Sequence, residues 1–198
     1  MISVKLDNKS FSVVRLNELS TEDEVIVAKT MISNFSCPLN DEVESFLKNS
    51  AFDFETKNQS VTYLVFFEDH FVAYFTLANK LIQVQKDMIS KTVLKRLLRV
   101  AEDTGDEFLN VPSILVAQLG KNYSNNNNDY IKGQELLAII EHFVKEVQKY
   151  IGGAVYFLEC DSDRQKVVNF YEQNGFVFFS ERSAKSTDIK LLQFLKKI

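Results

Sequence analysis

Two runs of β-branched and aromatic residues, VTYLVFF at 61–67 and FVAYFTLA at 71–78, are separated only by Glu68, Asp69 and His70. Runs of this kind around a short turn predict a hairpin of adjacent antiparallel strands. The fold is therefore built around a sheet, and the second strand can continue through 81–85. SILVAQL (113–119) is mostly apolar and reads as a buried strand. FSVVRL (11–16), AVYFLEC (154–160), FVFFS (176–180) and IKLLQFL (189–195) read as further strands.

Between them the apolar spacing turns helical. Ser20 and Thr21 can cap a helix carrying Val25, Ile26, Ala28, Ile32 and Phe35, and Asn40 one carrying Val43, Phe46, Leu47 and Ala51. Ile89, Val93, Leu97 and Ala101 share a face over 87–101. Residues 102–110 read as an acidic connection, and KNYSNNNNDYIKG (121–133) as a low-complexity loop. Leu136, Ile140, Phe143, Val144, Val147 and Ile151 mark a long amphipathic helix ended by Gly152-Gly153, and 163–174 a helix ended by Gly175. The order is β, α, α, β, β, α, β, loop, α, β, α, β, β. It shows no repeat or linker, which predicts one α/β (α+β) domain over 1–198 with a mixed sheet.

Composition narrows the function classes. The net charge of −4 does not favour a general nucleic-acid binder, which needs a basic surface for phosphates. Global charge can hide a local basic patch, for which Lys91, Lys95, Arg96 and Arg99 on one helix are a candidate. Cys37 and Cys160 form no CxxC, so no zinc or redox motif is present, and two buried reduced thiols are expected. MISVKLDNKSF has no apolar core of a signal peptide, and no run approaches roughly 18 apolar residues, so a cytoplasmic chain without a membrane span is expected. GxSxG, Walker, HExxH and Cys–His patterns are missing from the sequence.

VVNFYEQNGFVFF (167–179) resembles a segment of the GNAT acetyltransferase superfamily, in which a helix ends in Phe-Tyr, a short turn, Gly-Phe and a strand. The matching residues are Phe170, Tyr171, Gly175 and Phe176. The strand, loop and helix from Ser113 to Leu137 resemble the part of that family that binds a pyrophosphate. In register, its Gln/Arg-x-x-Gly-x-Gly/Ala pattern falls on Asn128, Ile131 and Gly133, of which only Gly133 matches. TYLVF…FVAYFTLANK resembles a bacterial subgroup that includes toxins acetylating the amino acid on charged tRNA. The element order agrees over nearly the whole chain.

The resemblance implies a GNAT-like mixed, mostly antiparallel sheet flanked by helices. It also implies acetyl-CoA as co-substrate, no metal, and direct attack of a primary amine on the thioester. The backbone of Leu119 and Gly120 would bind the thioester carbonyl. The diphosphate would lie on Asn128, Asp129, Tyr130, Ile131, Lys132, Gly133 and Gln134; the run from Asn125 to Asn128 supplies residues that tolerate left-handed backbone, and Gly133 permits close approach. Lys121 and Lys132 could add charge. Tyr171 would protonate the departing thiolate, since a phenol is a neutral donor at pH 7. The base that receives the amine proton is open among Glu159, Glu68 and His70, and His142 reads as a structural or surface residue. The expected partners are a small-molecule or protein amine, with aminoacyl-tRNA as the alternative acceptor, and a homodimer. A GNAT fold that only binds is a third reading.

Overall fold

The structure, a computed structural model, describes residues 1–19, 21–103, 105–183 and 189–198. The cap expected at Ser20 lies outside them. The strands are β1 (Ile2–Leu6), β2 (Lys9–Arg15), β3 (Val61–Phe67), β4 (His70–Gln85), β5 (Glu102–Asp103), β6 (Phe108–Lys121), β7 (Val155–Asp161), β8 (Val177–Ser183) and β9 (Lys190–Lys197). The helices are α1 (Glu22–Ser33), α2 (Asp41–Asn49), α3 (Ala51–Thr56), α4 (Lys91–Leu97), α5 (Gly133–Ile151) and α6 (Gln165–Gln173). They divide into two compact units, Met1–Ala78 with Ala117–Phe143, and Asn79–Val116 with Val144–Ile198.

In the first unit the strands run β1-β2-β3-β4, all antiparallel. The hairpin read from sequence pairs Phe67 with His70 across a two-residue turn, with Glu68 in the left-handed region (φ 51°). Thr21 and Glu24 form a capping box at the start of α1, and the Asn40 side chain accepts from the Glu42 and Val43 amides at the start of α2. The first helices pack on the sheet through Leu16, Ile32, Phe35, Leu47, Ala51, Leu64, Phe71 and Tyr74. Full burial of a residue such as Leu47 or Leu64 stabilises by about 1.5–3 kcal/mol.

In the second unit the order is β6-β7-β9-β8, with β5 paired to β6. β6 and β7 are parallel through Ser113↔Val155, Ile114↔Tyr156 and Leu115↔Phe157. β7–β9 and β8–β9 are antiparallel, so the sheet is mixed and mostly antiparallel. Its core holds Val84, Leu97, Leu109, Val111, Val155, Phe157, Phe179 and Leu195.

Four details differ from the sequence reading. β1 is added before the strand read at 11–16, reached through a turn with Asp7 at φ 50°. The helix read from Asn40 to Ala51 breaks at Ser50 (φ −125°, ψ −26°) into α2 and α3. The helix read over 87–101 shortens to α4, because Ser90 is extended and its hydroxyl caps the Val93 amide. The connection at 102–110 contains β5 and the first residues of β6.

Candidate functional site

The loop after β6 begins with a buried asparagine. Asn122 is 2% exposed, and its Oδ1 accepts from the Ser36 and Ser124 amides (both 3.1 Å) while its Nδ2 donates to the Phe71 carbonyl (2.9 Å). Its backbone N–H donates to the Val72 carbonyl at 2.8 Å. Every polar atom of the side chain is thereby matched, which is the condition for burying an amide at no large cost. Just before it, Ala117, Gln118 and Leu119 are half-buried in the midst of a strand that is buried at Val116 and Gly120.

A run of 3₁₀ turns follows over Ser124–Tyr130. Asn125 (φ 52°, ψ 29°) and Asn126 (φ 58°, ψ 23°) are left-handed, the conformation for which asparagine was expected here. The Lys121 ammonium donates to the carbonyls of Asn128 (3.0 Å) and Ile131 (3.1 Å). The Lys9 ammonium donates to the Tyr130 carbonyl (2.9 Å) and pairs with Glu135 at 3.1 Å. Three loop carbonyls are thus held by two lysines, so Lys121 acts on the loop's own backbone. Lys132 is exposed; its N–H donates to Glu135 Oε2 at 2.7 Å, the half of a capping box in which the third helical residue reaches back. Gly133 opens α5, and Gln134 is exposed.

The hairpin residues take other parts. His70 stacks on the Tyr130 ring (4.3 Å, 17°) and so packs against the loop, while Glu68 is exposed at the turn. His142 is exposed on α5, edge-on to Phe143.

In the second unit the Phe-Tyr…Gly-Phe segment has a local physical explanation. The Phe176 N–H donates to the Tyr171 carbonyl (3.1 Å) and the Gly175 N–H to the Glu172 carbonyl (3.0 Å). These are the two bonds of a Schellman motif, with Gly175 left-handed at φ 83°. The accompanying hydrophobic contact is the Tyr171 ring on Phe176 (5.7 Å), with Phe194 also beside it (6.1 Å). Tyr171 is 5% exposed; burial, then the neighbouring Cys160, pushes its phenol well above the usual range. The group is a protonated, neutral donor at pH 7. Burial, then Asp161, pushes the Cys160 thiol up to about 11. Cys37 and Cys160 are both buried and in no disulfide.

Glu159 is committed elsewhere. Its carboxylate takes a two-pronged ion pair from Arg182 (2.8 and 2.5 Å) and a third bond from Gln193 Nε2 (2.6 Å). A base at Glu159 requires that pair to open first.

Sequence reasoning passed over Lys9, Asn122 and Glu135. Glu135 had a signal, since it lies three residues after the helix-capping position Lys132. Lys9 lies at the start of a strand the reading began two residues later. Among the described residues no cluster of His, Cys, Asp or Glu is arranged to hold a metal, and no helix is long and apolar enough to cross a membrane.

No protein-family model matches the chain, and no curated protein matches it. Solved structures do. A tyrosine-to-phenylalanine variant of KacT superposes with a TM-score of 0.63 at 17% identity, over 94% of each chain. AtaT complexed with acetyl-methionyl-tRNA gives 0.61 at 17% identity, over 92% of this chain and 93% of that one. A crystal structure described as a bacterial toxin gives 0.63 at 14% identity, over 96% and 92%. Other matching structures show AtaT with the C-terminus of its antitoxin AtaR and acetyl-CoA, and AtaTR with acetyl-CoA. Across nearly its full length the chain has the fold of these proteins, the GNAT-like fold its sequence resembles.

Proposed function

We propose that residues 1–198 act as one cytoplasmic acyltransferase domain that moves an acetyl group from acetyl-CoA to a primary amine by direct attack. The observation that carries this reading is the parallel β6–β7 ladder, which covers only three pairs. Further along β6, Ala117–Leu119 are half-open, and a loop leading into a long helix comes next.

In this reading the diphosphate lies on the backbone of Asn128 to Gln134, at the N-terminus of α5. The thioester carbonyl lies at the backbone of Leu119 and Gly120, where an N–H stabilises the oxyanion formed as the amine adds. Collapse of the tetrahedral intermediate breaks the carbon–sulfur bond, and Tyr171 gives its proton to the leaving thiolate. The amine proton passes to water, or to Glu159 once its pair with Arg182 has opened.

Among amines, the α-amino group of an aminoacyl-tRNA is the favoured acceptor, because AtaT has been captured with acetyl-methionyl-tRNA. A small-molecule or protein amine is the second reading, favoured by the net charge of −4. Calorimetry with acetyl-CoA is the first test. Absence of binding would leave a GNAT fold that does not use this co-substrate. With binding established, radiolabelled acetyl-CoA is offered with charged tRNA, with polyamines and with peptides. Label in the aminoacyl-tRNA alone is the expected result, and label only in the other two selects the second reading.

A further inference from the structure

Resting on the acetyl-CoA reading, we propose that Lys9 and Lys121 are positioning residues for the diphosphate loop, and that Glu135 is a resident anion which the diphosphate replaces. The peptide between Ile131 and Lys132 is held from both sides. Its carbonyl accepts from the Lys121 ammonium (3.1 Å) and its N–H donates to the Glu135 carboxylate (2.7 Å). In a trans peptide the carbonyl and the N–H point in opposite directions, so a cation on the first aims the second. That N–H already serves an anion, and it belongs to the stretch on which the diphosphate would lie.

The carboxylate there is charge-balanced by Lys9, which reaches it from β2 at 3.1 Å and also holds the Tyr130 carbonyl at 2.9 Å. The Lys9 ammonium lies over the faces of Phe11 (5.9 Å) and Phe67 (5.7 Å), which fix its direction. Each lysine therefore acts through the loop. Lys121 orients its peptides, and Lys9 both orients Tyr130 and cancels a negative charge that would repel phosphate. When the diphosphate takes the Lys132 N–H, the displaced Glu135 keeps Lys9 as its counter-ion.

The test is calorimetry on wild type, Lys9→Met, Glu135→Gln, Lys121→Met and Lys9→Met/Glu135→Gln. Each is titrated with acetyl-CoA and with S-acetylpantetheine, which has no diphosphate. Glu135→Gln keeps an oxygen for the Lys132 N–H and removes only the charge; acetyl-CoA should bind about 2- to 5-fold more tightly. Lys9→Met and Lys121→Met should each weaken acetyl-CoA by ~10-fold and leave S-acetylpantetheine unchanged. Adding Glu135→Gln should restore the Lys9 variant to within ~3-fold of wild type. A double variant as weak as Lys9→Met means that Lys9 touches phosphate itself and overturns the proposal. So does unchanged or weaker acetyl-CoA binding by Glu135→Gln, a substitution that does not depend on the lysine variants folding. Failure of the wild type to bind acetyl-CoA at all overturns the parent reading instead.

Discussion

Replacing Gly120 by alanine places a methyl group against Val43 of α2. The added carbon would lie 2.6 Å from Val43 Cγ1, 3.5 Å from Cys37 Sγ and 3.6 Å from Phe35 Cζ. Carbon pairs are at their optimum near ~3.5–4.0 Å, so the first contact is about 1 Å too short while the other two are ordinary. Relief by moving α2 is opposed, because the Val43 carbonyl holds the hydroxyl of the fully buried Tyr74 at 2.5 Å. Overpacking of this kind costs about 1–3 kcal/mol. At ~2–4 °C per kcal/mol for a chain of this length, the melting temperature should fall by about 2–12 °C. Thermal melts of wild type, Gly120→Ala, Val43→Ala and the double variant decide the matter. Trimming Val43 removes the clashing methyl, so the double variant should be more stable than the sum of the single losses. A Gly120→Ala melt within ~1 °C of wild type, or strictly additive losses, would refute the argument that Val43 is what demands glycine here.

Tyr171→Phe keeps the ring on Phe176 and Phe194 and removes the proton donor; turnover should fall by at least ~10-fold with acetyl-CoA affinity steady, and full activity in steady-state kinetics would leave Tyr171 a packing role only. Asn122→Ala strands the Ser36 and Ser124 amides and the Phe71 carbonyl; urea unfolding should show a loss of at least ~2 kcal/mol, and a neutral result would mean that water replaces the side chain. The folded chain holds the Cys160 proton more tightly than the unfolded chain does. Its contribution is thus complete below the ordinary value of 9.0 and is lost as pH rises toward about 11. Urea midpoints measured across that window should fall less steeply in Cys160→Ala, and parallel profiles would count against the shift.

The sheet was legible because its strands announce themselves. The segments at 61–67, 71–78, 154–160 and 189–195 are mostly apolar runs, and each falls on a strand in the structure. ISVKL at the N-terminus was not read, because among the described residues β1 pairs only with β2 and three of its five residues are exposed, so it carries little apolar pattern. Caps at Thr21 and Asn40 were readable from single residues, since a cap is a local interaction. The Phe-Tyr…Gly-Phe motif placed Tyr171 for the same reason: its helix stop is made by bonds five residues apart or fewer. The arrangement of the phosphate loop was not readable. Its lysine partners come from position 9, more than a hundred residues away, and from position 121, and no local pattern ties an ammonium to a distant carbonyl. Glu159 was read as a candidate base, and its ion pair was not legible, because Arg182 reaches it through the β7–β9–β8 pairing.

The asparagine run also matters for the unfolded chain. Asn125 and Asn126 occupy a backbone region that glycine enters most easily, yet neither is glycine. A glycine at either place would roam more of conformational space before folding and would lose more entropy on being fixed. Asparagine reaches the same turn from a smaller starting ensemble. A stretch that looks in sequence like a polar spacer is therefore a turn whose shape is largely chosen before any ligand arrives, and less of a ligand's binding energy is consumed in shaping it.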